Sequence, residues 1–387
     1  MIRHTFIFLE VFTREGGIQS YVQDILLAYA CLAERSQNYQ ADVFLLRDAP
    51  PSQPIIDSPY IKFHYCRTPW HNLSRLRMSA ALSMHLAKRK PNHIFCGHIK
   101  LAKLVQWLAV DIPYTVMTYG KEVWFSLSLV DRTALAKARW VWTISRFSRD
   151  RLCTFNQFPP EQVRILPCIV DGDRFKMGQK PQYLLDRYKI DNHRVLMTVT
   201  RLWSKDPYKG VDVTIQALPI IAQVVPNIRY LVIGRGDDQP RLTKLAKDCG
   251  VGDRVIFAGF VPGVALPDHY RLADVYVMPS QEGFGIVYLE AMATGVPVIA
   301  GQQDGSAEPL MDGRLGWHVP HRDPQAIAQA CLEALQGQDQ RCDRLWLREQ
   351  ALTNFGQERL IAALEKLFDE QNSANPPAAS LLEKIPD

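Results

Sequence analysis

Glu282 and Glu290 are separated by seven residues in the run Ser-Gln-Glu-Gly-Phe-Gly-Ile-Val-Tyr-Leu-Glu-Ala-Met. The pattern reads as a strand over Val275 to Pro279, a turn carrying Gly283 and Gly285, and a helix from Ile286 to Thr294 closed by Gly295. One acid then stands before the helix and the other about one turn inside it. A helix N-terminus presents unpaired N–H groups and the positive end of a dipole, so a diphosphate docks there. Carboxylates on either side accept hydrogen bonds from hydroxyls flanking the phosphates, the layout of a sugar, a diphosphate and a ribose. Read without a ligand, Glu282 is a solvated loop acid. Glu290 is an acid among Ile286, Val287, Leu289 and Met292, and needs a ribose diol or an arginine to offset its desolvation.

Arg201 and Lys209 follow a strand over Val195 to Thr200 and flank a strand-to-helix loop. Two cations there can stabilise a departing diphosphate with no metal, although such a pair is more often solvated surface charge. Gly16-Gly17 opens a helix through Ile25, Leu26 and Ala33, where backbone can approach a ligand closely. Gly234-Arg235-Gly236 begins a dinucleotide-type glycine pattern, but Gln239 stands where the third glycine belongs. Asp171-Gly172-Asp173 has the form of a metal motif and is read instead as part of a hinge. Eight cysteines without a Cys-x-x-Cys pair read as reduced, mostly buried thiols.

These groups need a scaffold with strand ends facing helix starts. The second half alternates strand and helix: Val195 to Thr200, Arg229 to Gly234, Val255 to Ala258, Val275 to Pro279 and Pro297 to Ala300, each followed by a helical pattern. Such alternation predicts a parallel sheet covered on both faces, with ligands beyond the carboxyl ends of its strands. The first half repeats the plan with strands near 5–10, 41–46, 61–66, 93–97, 114–118 and 140–144. At 387 residues the chain is too long for one ordinary core. The expected division is 1–175, completed by a C-terminal helix at about 357–371, and 176–356, with a hinge at Lys176 to Pro181. Residues 372–387 are expected to be a disordered tail. A net charge of +5 permits an anionic substrate and does not call for nucleic acid. The Thr5 to Leu9 run, broken by Glu10, reads as a strand rather than a signal peptide, which predicts a cytoplasmic protein.

At Glu282 and Glu290 the sequence resembles the family 4 glycosyltransferases, retaining enzymes of the GT-B fold. Thr200-Arg201-Leu202 with Lys209-Gly210, Gly16-Gly17-Ile18-Gln19, Val232 to Gly236, Val255 to Val261, and Asn354-Phe355 also fall in that family's order. The resemblance implies an α/β chain of two Rossmann-like domains facing each other across a cleft. The acceptor would lie on the first domain and the donor mostly on the second. It implies that Glu282 binds the transferred sugar, that Glu290 binds the ribose, and that Arg201 and Lys209 clamp the phosphates. Gly16, Gly17, Gly234, Val261, Phe284, Gly285, Ile286 and Val287 would contribute further nucleotide-sugar contacts. The implied reaction moves a hexosyl group, glucose from a UDP-sugar in the first instance, to a saccharide or lipid-linked saccharide in polysaccharide biosynthesis, without a metal cofactor. A noncatalytic sugar-nucleotide binder, an NAD-dependent oxidoreductase and a UDP-sugar epimerase stand as alternatives.

Two features depart from the family. Tyr119-Gly120-Lys121-Glu122 stands where a histidine usually lines the sugar site, leaving Tyr119 or His98 as candidate linings. Cys168-Ile169 replaces the usual Asn-Gly before Val170-Asp171. Residues 74–90 read as an amphipathic helix, with Leu76, Ala80, Met84 and Ala87 on one side and Arg75, Arg77, Lys88, Arg89 and Lys90 around it. This helix either contacts the inner face of an anionic membrane, as in relatives that elongate lipid-linked sugars, or packs on the core with a solvated basic face.

Overall fold

The computed structural model describes residues 1–52, 55–109 and 111–372. The expected tail over 373–387 lies outside the described residues. The chain forms two compact units, residues 1–167 with the segment from Gln357 on, and residues 168–356.

The first unit is built on seven parallel strands: β1 (Ile2–Phe8), β2 (Tyr39–Leu45), β3 (Ile61–Tyr65), β4 (His93–Cys96), β5 (Tyr114–Met117), β6 (Trp140–Thr143) and β7 (Val163–Ile165). Their order across the sheet is β3-β2-β1-β4-β5-β6-β7. The second unit holds β8 (Arg194–Val199), β9 (Ile228–Ile233), β10 (Val255–Gly259), β11 (Val275–Met278), β12 (Val298–Gly301) and β13 (Trp317–Val319), ordered β10-β9-β8-β11-β12-β13. Central strands such as β4, β5, β11 and β12 are buried along their whole length, as a sheet covered by helices on both faces requires. In each sheet the order reverses once, between β1 and β4 and between β8 and β11. A crevice opens beyond the strand ends at such a reversal.

The division differs from the expected one. Residues 168–175 belong to the second unit because its later helix Arg344–Phe355 grips them. Val170 N–H donates to Phe355 O at 2.9 Å, and Arg348 Nη2 donates to Gly172 O at 2.7 Å. The hinge expected at 176–181 is likewise fastened to this unit: Arg271 Nε donates to Lys176 O and Lys180 pairs with Asp274. The helix Gln357–Asn372 returns to the first unit, where Phe368 is fully buried among His4, Tyr29, Tyr39, Phe95 and Trp142.

The helix His71–Lys88 turns the other way from a core-packed reading of its Leu76 stripe. Met78 and Leu82 face the core beside Ser74, while Leu76 is 67% and Met84 59% exposed. Among the described residues no helix is long and apolar enough to cross a membrane.

Candidate active site

In the second unit, the reversal between β8 and β11 sets Arg201 beyond one strand and Ser280 to Gly285 beyond the other. A short helical turn, Pro207–Lys209, lies against the second loop, with Gln281 N–H donating to Tyr208 O at 3.3 Å. This brings the Lys209 ammonium to 2.5 Å from Glu282 Oε1, both side chains only 15% exposed. The same carboxylate oxygen accepts from Ser280 Oγ at 2.8 Å. Arg201 is more open, 58% exposed, with Nη2 3.4 Å from Asp206 Oδ2 and its guanidinium 4.4 Å above the Trp203 ring. Tyr208 hydroxyl donates to Asp206, so one polar chain runs from Arg201 through Asp206 and Tyr208 to the Lys209 turn and Glu282.

The helix Ile286–Ala293 starts directly after Gly285, which caps it at φ 93°. The N–H groups of Ile286 and Val287 therefore lie in a first turn, where an anion is stabilised. On the far side of that turn Glu290 accepts from Tyr270 hydroxyl at 2.6 Å. Burial pushes its carboxyl up to about 7, against the opposing pull of Tyr270 and Arg174. A carboxyl held this way gains from any additional hydroxyl that donates to it. Phe284 and Val261 are buried, and Phe284 packs edge-on against Phe355, so contact with a ligand would be through their backbone.

Gly234 has a steric reason for being glycine that lies within the protein. At φ 139°, a Cβ there would fall 1.7 Å from Thr200 O. The glycine lets the loops after β8 and β9 touch and needs no phosphate to explain it. Asp171 caps its own turn, accepting from the N–H groups of Asp173 and Arg174. Among the described residues no group of three or more His, Cys, Asp or Glu converges as metal ligands.

The first unit has its own cluster beyond β1, β4 and β5. Gly16 precedes the helix Gly17–Ser36, and a Cβ on Gly17 would meet nothing within 4 Å. Tyr119 hydroxyl donates to Gly97 O at 2.9 Å, and its ring meets Tyr21 edge-on at 5.9 Å. His98 caps the helix Ile99–Leu108, its Nδ1 accepting from Lys100 N–H at 3.1 Å, and burial lowers its pKa. Both candidate linings thus have a backbone partner, His98 through Nδ1 and Tyr119 through its hydroxyl.

Four residues that support these sites were not singled out from the sequence. Asp304 Oδ2 accepts from Glu282 N–H at 2.8 Å. Tyr270 holds Glu290. Glu122 accepts from the N–H groups of Tyr119 and Gly120, and burial raises its pKa. Asp48, fully buried, collects Val11 N–H, Phe12 N–H, Thr13 N–H and Thr13 Oγ1 within 2.9 Å, bracing the loop that leads to Gly16. Asp304 and Asp48 each follow a strand end in a turn-forming context, Asp-Gly-Ser and Asp-Ala-Pro, the one local signal available.

Residues 16–168 match the glycosyl transferase 4-like domain, and residues 193–337 match the glycosyl transferases group 1 family. A GDP-mannose-dependent alpha-(1-6)-phosphatidylinositol monomannoside mannosyltransferase of Mycobacterium tuberculosis is 36% identical over 354 residues, 84% of this chain and 87% of that protein. The chain belongs to the family 4 glycosyltransferases. The protein of the same description from Mycolicibacterium smegmatis is 37% identical over 226 residues, 55% of this chain and 58% of that protein. Among solved structures, the sucrose-phosphate synthase of Thermosynechococcus elongatus superposes with a TM-score of 0.74 at 22% identity, covering 97% of this chain and all of that one. The glycosyltransferase thus has the GT-B fold of two Rossmann-like units, and its activity is glycosyl transfer from a nucleotide sugar.

Proposed function

We propose that the glycosyltransferase moves a hexosyl group, with retention at the anomeric carbon, from a nucleoside diphosphate sugar to a hydroxyl of a saccharide or lipid-linked acceptor. The observation that carries this reading is the Lys209–Glu282 contact at one side of the Ile286 helix start, with Glu290 at the other. In a front-face step the bond from the anomeric carbon to the diphosphate oxygen breaks as the acceptor oxygen adds to the same face. The acceptor proton passes to the departing phosphate. Lys209, Arg201 and the helix dipole stabilise the charge that develops there. Glu282 orients the sugar through its hydroxyls, and Glu290, its carboxyl already held by Tyr270, accepts from the ribose.

For the donor, two relatives at 36–37% identity are named as GDP-mannose-dependent, which favours mannose on GDP. UDP-glucose, the expectation from sequence, is the competing donor. Transfer assays with a panel of nucleotide sugars decide between them, run beside calorimetry with GDP and UDP. Turnover with none of them, in wild type and Glu282→Ala alike, would leave a noncatalytic binder.

The same reading places the protein at the cytoplasmic face of a membrane carrying a lipid-linked acceptor. Its support is the exposed stripe Leu73, Leu76, Ala80 and Met84 on the helix His71–Lys88, continued by Trp70 and flanked by Arg77 and Lys88. Apolar side chains at helical spacing beside basic ones suit an anionic lipid interface.

A further inference from the structure

Asp304 lies just beyond β12, in a turn with no assigned part in glycosyl transfer, and is 3% exposed. Its Oδ2 accepts from Glu282 N–H at 2.8 Å, and the next residue returns the contact, Gly305 N–H donating to Glu282 O at 2.9 Å. The peptide groups on both sides of Glu282 are thereby fixed to one turn on a neighbouring strand. Asp304 is itself held in place: its Oδ1 accepts from Ser306 N–H at 2.8 Å and lies 2.5 Å from Ser306 Oγ. Ser306 Oγ in turn lies 2.7 Å from Gly301 O at the end of β12. The line from the β12 backbone to the Glu282 backbone is therefore continuous and short.

Glu282 side-chain contacts alone do not fix its backbone. Lys209 sits on a flexible stem, and a diphosphate competes for its ammonium. Ser280 shares the loop with Glu282 and moves with it. Asp304 is the side-chain tether to the Glu282 N–H; beside the backbone contacts of Gly305 and Tyr208 with this loop, it comes from a different strand and does not depend on which partner the Glu282 carboxylate has. We infer that Asp304 is a positioning residue for glycosyl transfer, holding the Glu282 peptide so that its carboxylate meets the hydroxyls of the transferred sugar. The inference rests on the sugar-binding role proposed for Glu282, and it assigns to Asp304 no contact with substrate.

The test compares Asp304→Ala with Asp304→Asn in the full chain. Asparagine keeps a carbonyl that can accept from Glu282 N–H, and alanine does not. Amide hydrogen exchange in the segment 280–286, read without any ligand, is expected to quicken at least tenfold in Asp304→Ala and to stay within about threefold of wild type in Asp304→Asn. Exchange in Asp304→Ala equal to wild type overturns the inference, whatever the donor. With the preferred nucleotide sugar, kcat is expected to fall by about 10- to 100-fold in Asp304→Ala, with the Kd for the free nucleoside diphosphate unchanged, and to recover in Asp304→Asn. An equal loss in both variants, or a parallel loss of nucleoside diphosphate affinity, overturns a positioning role in favour of general support of the loop. A wild-type protein that turns over no nucleotide sugar defeats the proposed function and leaves the exchange result to decide whether Asp304 holds Glu282.

Discussion

The Lys209 ammonium and the Glu282 carboxylate lie 2.5 Å apart, joining the turn after β8 to the loop after β11. A cation expected to clamp phosphate and an acid expected to grip a sugar are thus held in register by each other. In a donor complex that register sets the distance between the diphosphate and the hydroxyls. Lys209→Ala removes the cation and leaves Glu282 without its counter-charge. Transfer kcat is expected to fall by about 10²–10³-fold. Lys209→Arg is not expected to restore it, because a planar guanidinium does not reproduce a compact ammonium in a site this enclosed. Steady-state kinetics check both, and a near-normal rate in Lys209→Ala would falsify the clamp.

Glu290 gives the unliganded protein a pH dependence of definite sign. Its carboxyl titrates at about 7 when folded and at its ordinary 4.5 when unfolded. Between those values the folded state binds the extra proton, so stability falls as pH rises from about 4.5 to 7 and is level above. The contribution is at most about 3 kcal/mol. Asp304, raised by burial from 3.8 to about 7, acts with the same sign. Urea unfolding at pH 5 and pH 8 is expected to show a smaller loss in Glu290→Gln than in wild type.

Gly17 and Gly234 separate a ligand requirement from a folding one. Gly17→Ala meets open space, and alanine is the better helix former by up to about 1 kcal/mol, so melting is expected to be unchanged or slightly raised. Transfer is nevertheless expected to drop at least about tenfold, since the new methyl occupies the approach to the helix start. Gly234→Ala drives a methyl into Thr200 O and is expected to lower Tm directly.

Asp48→Ala strands the three N–H groups that Asp48 collects from Val11, Phe12 and Thr13. The expected cost is about 3 kcal/mol, measured by urea unfolding, with Asp48→Asn recovering part of it.

Leu76→Glu with Met84→Glu places charge on the exposed stripe of the helix His71–Lys88. Because both side chains already face solvent, the melting temperature is expected to hold. Sedimentation with vesicles of anionic lipid is expected to fall at least about fivefold. Unchanged sedimentation removes the lipid contact from this helix.

Much of the donor half was legible because its signals are local. The strand, glycine turn and helix around Glu282 lie within about twenty residues, and β8 to β12 appear within two residues of their expected bounds. The strands β7 and β13 were missed because three residues carry no period. The helix His71–Lys88 carries two apolar stripes, Leu76–Ala80–Met84 and Met78–Leu82, with the same 3.6-residue repeat. Only the neighbouring strands decide which one is buried. Nor can local pattern reveal that Arg348 reaches back to Phe175 and Gly172, which moves the unit boundary to 168. Asp304 meets Glu282 through the pairing of β12 with β11, a relation between strands rather than between neighbours in sequence.

Phe368 plugs an aromatic nest formed by residues spread from His4 to Trp142. A ribosome making this protein has therefore released the whole second unit before the segment that closes the first has left the tunnel. Until then His4, Tyr29, Tyr39, Phe95 and Trp142 lack the aromatic partner they share in the folded unit. The first unit thus completes its core only after residues 168–356 have been made, and its incompletely covered rings are the apolar surface a chaperone would shield in that interval.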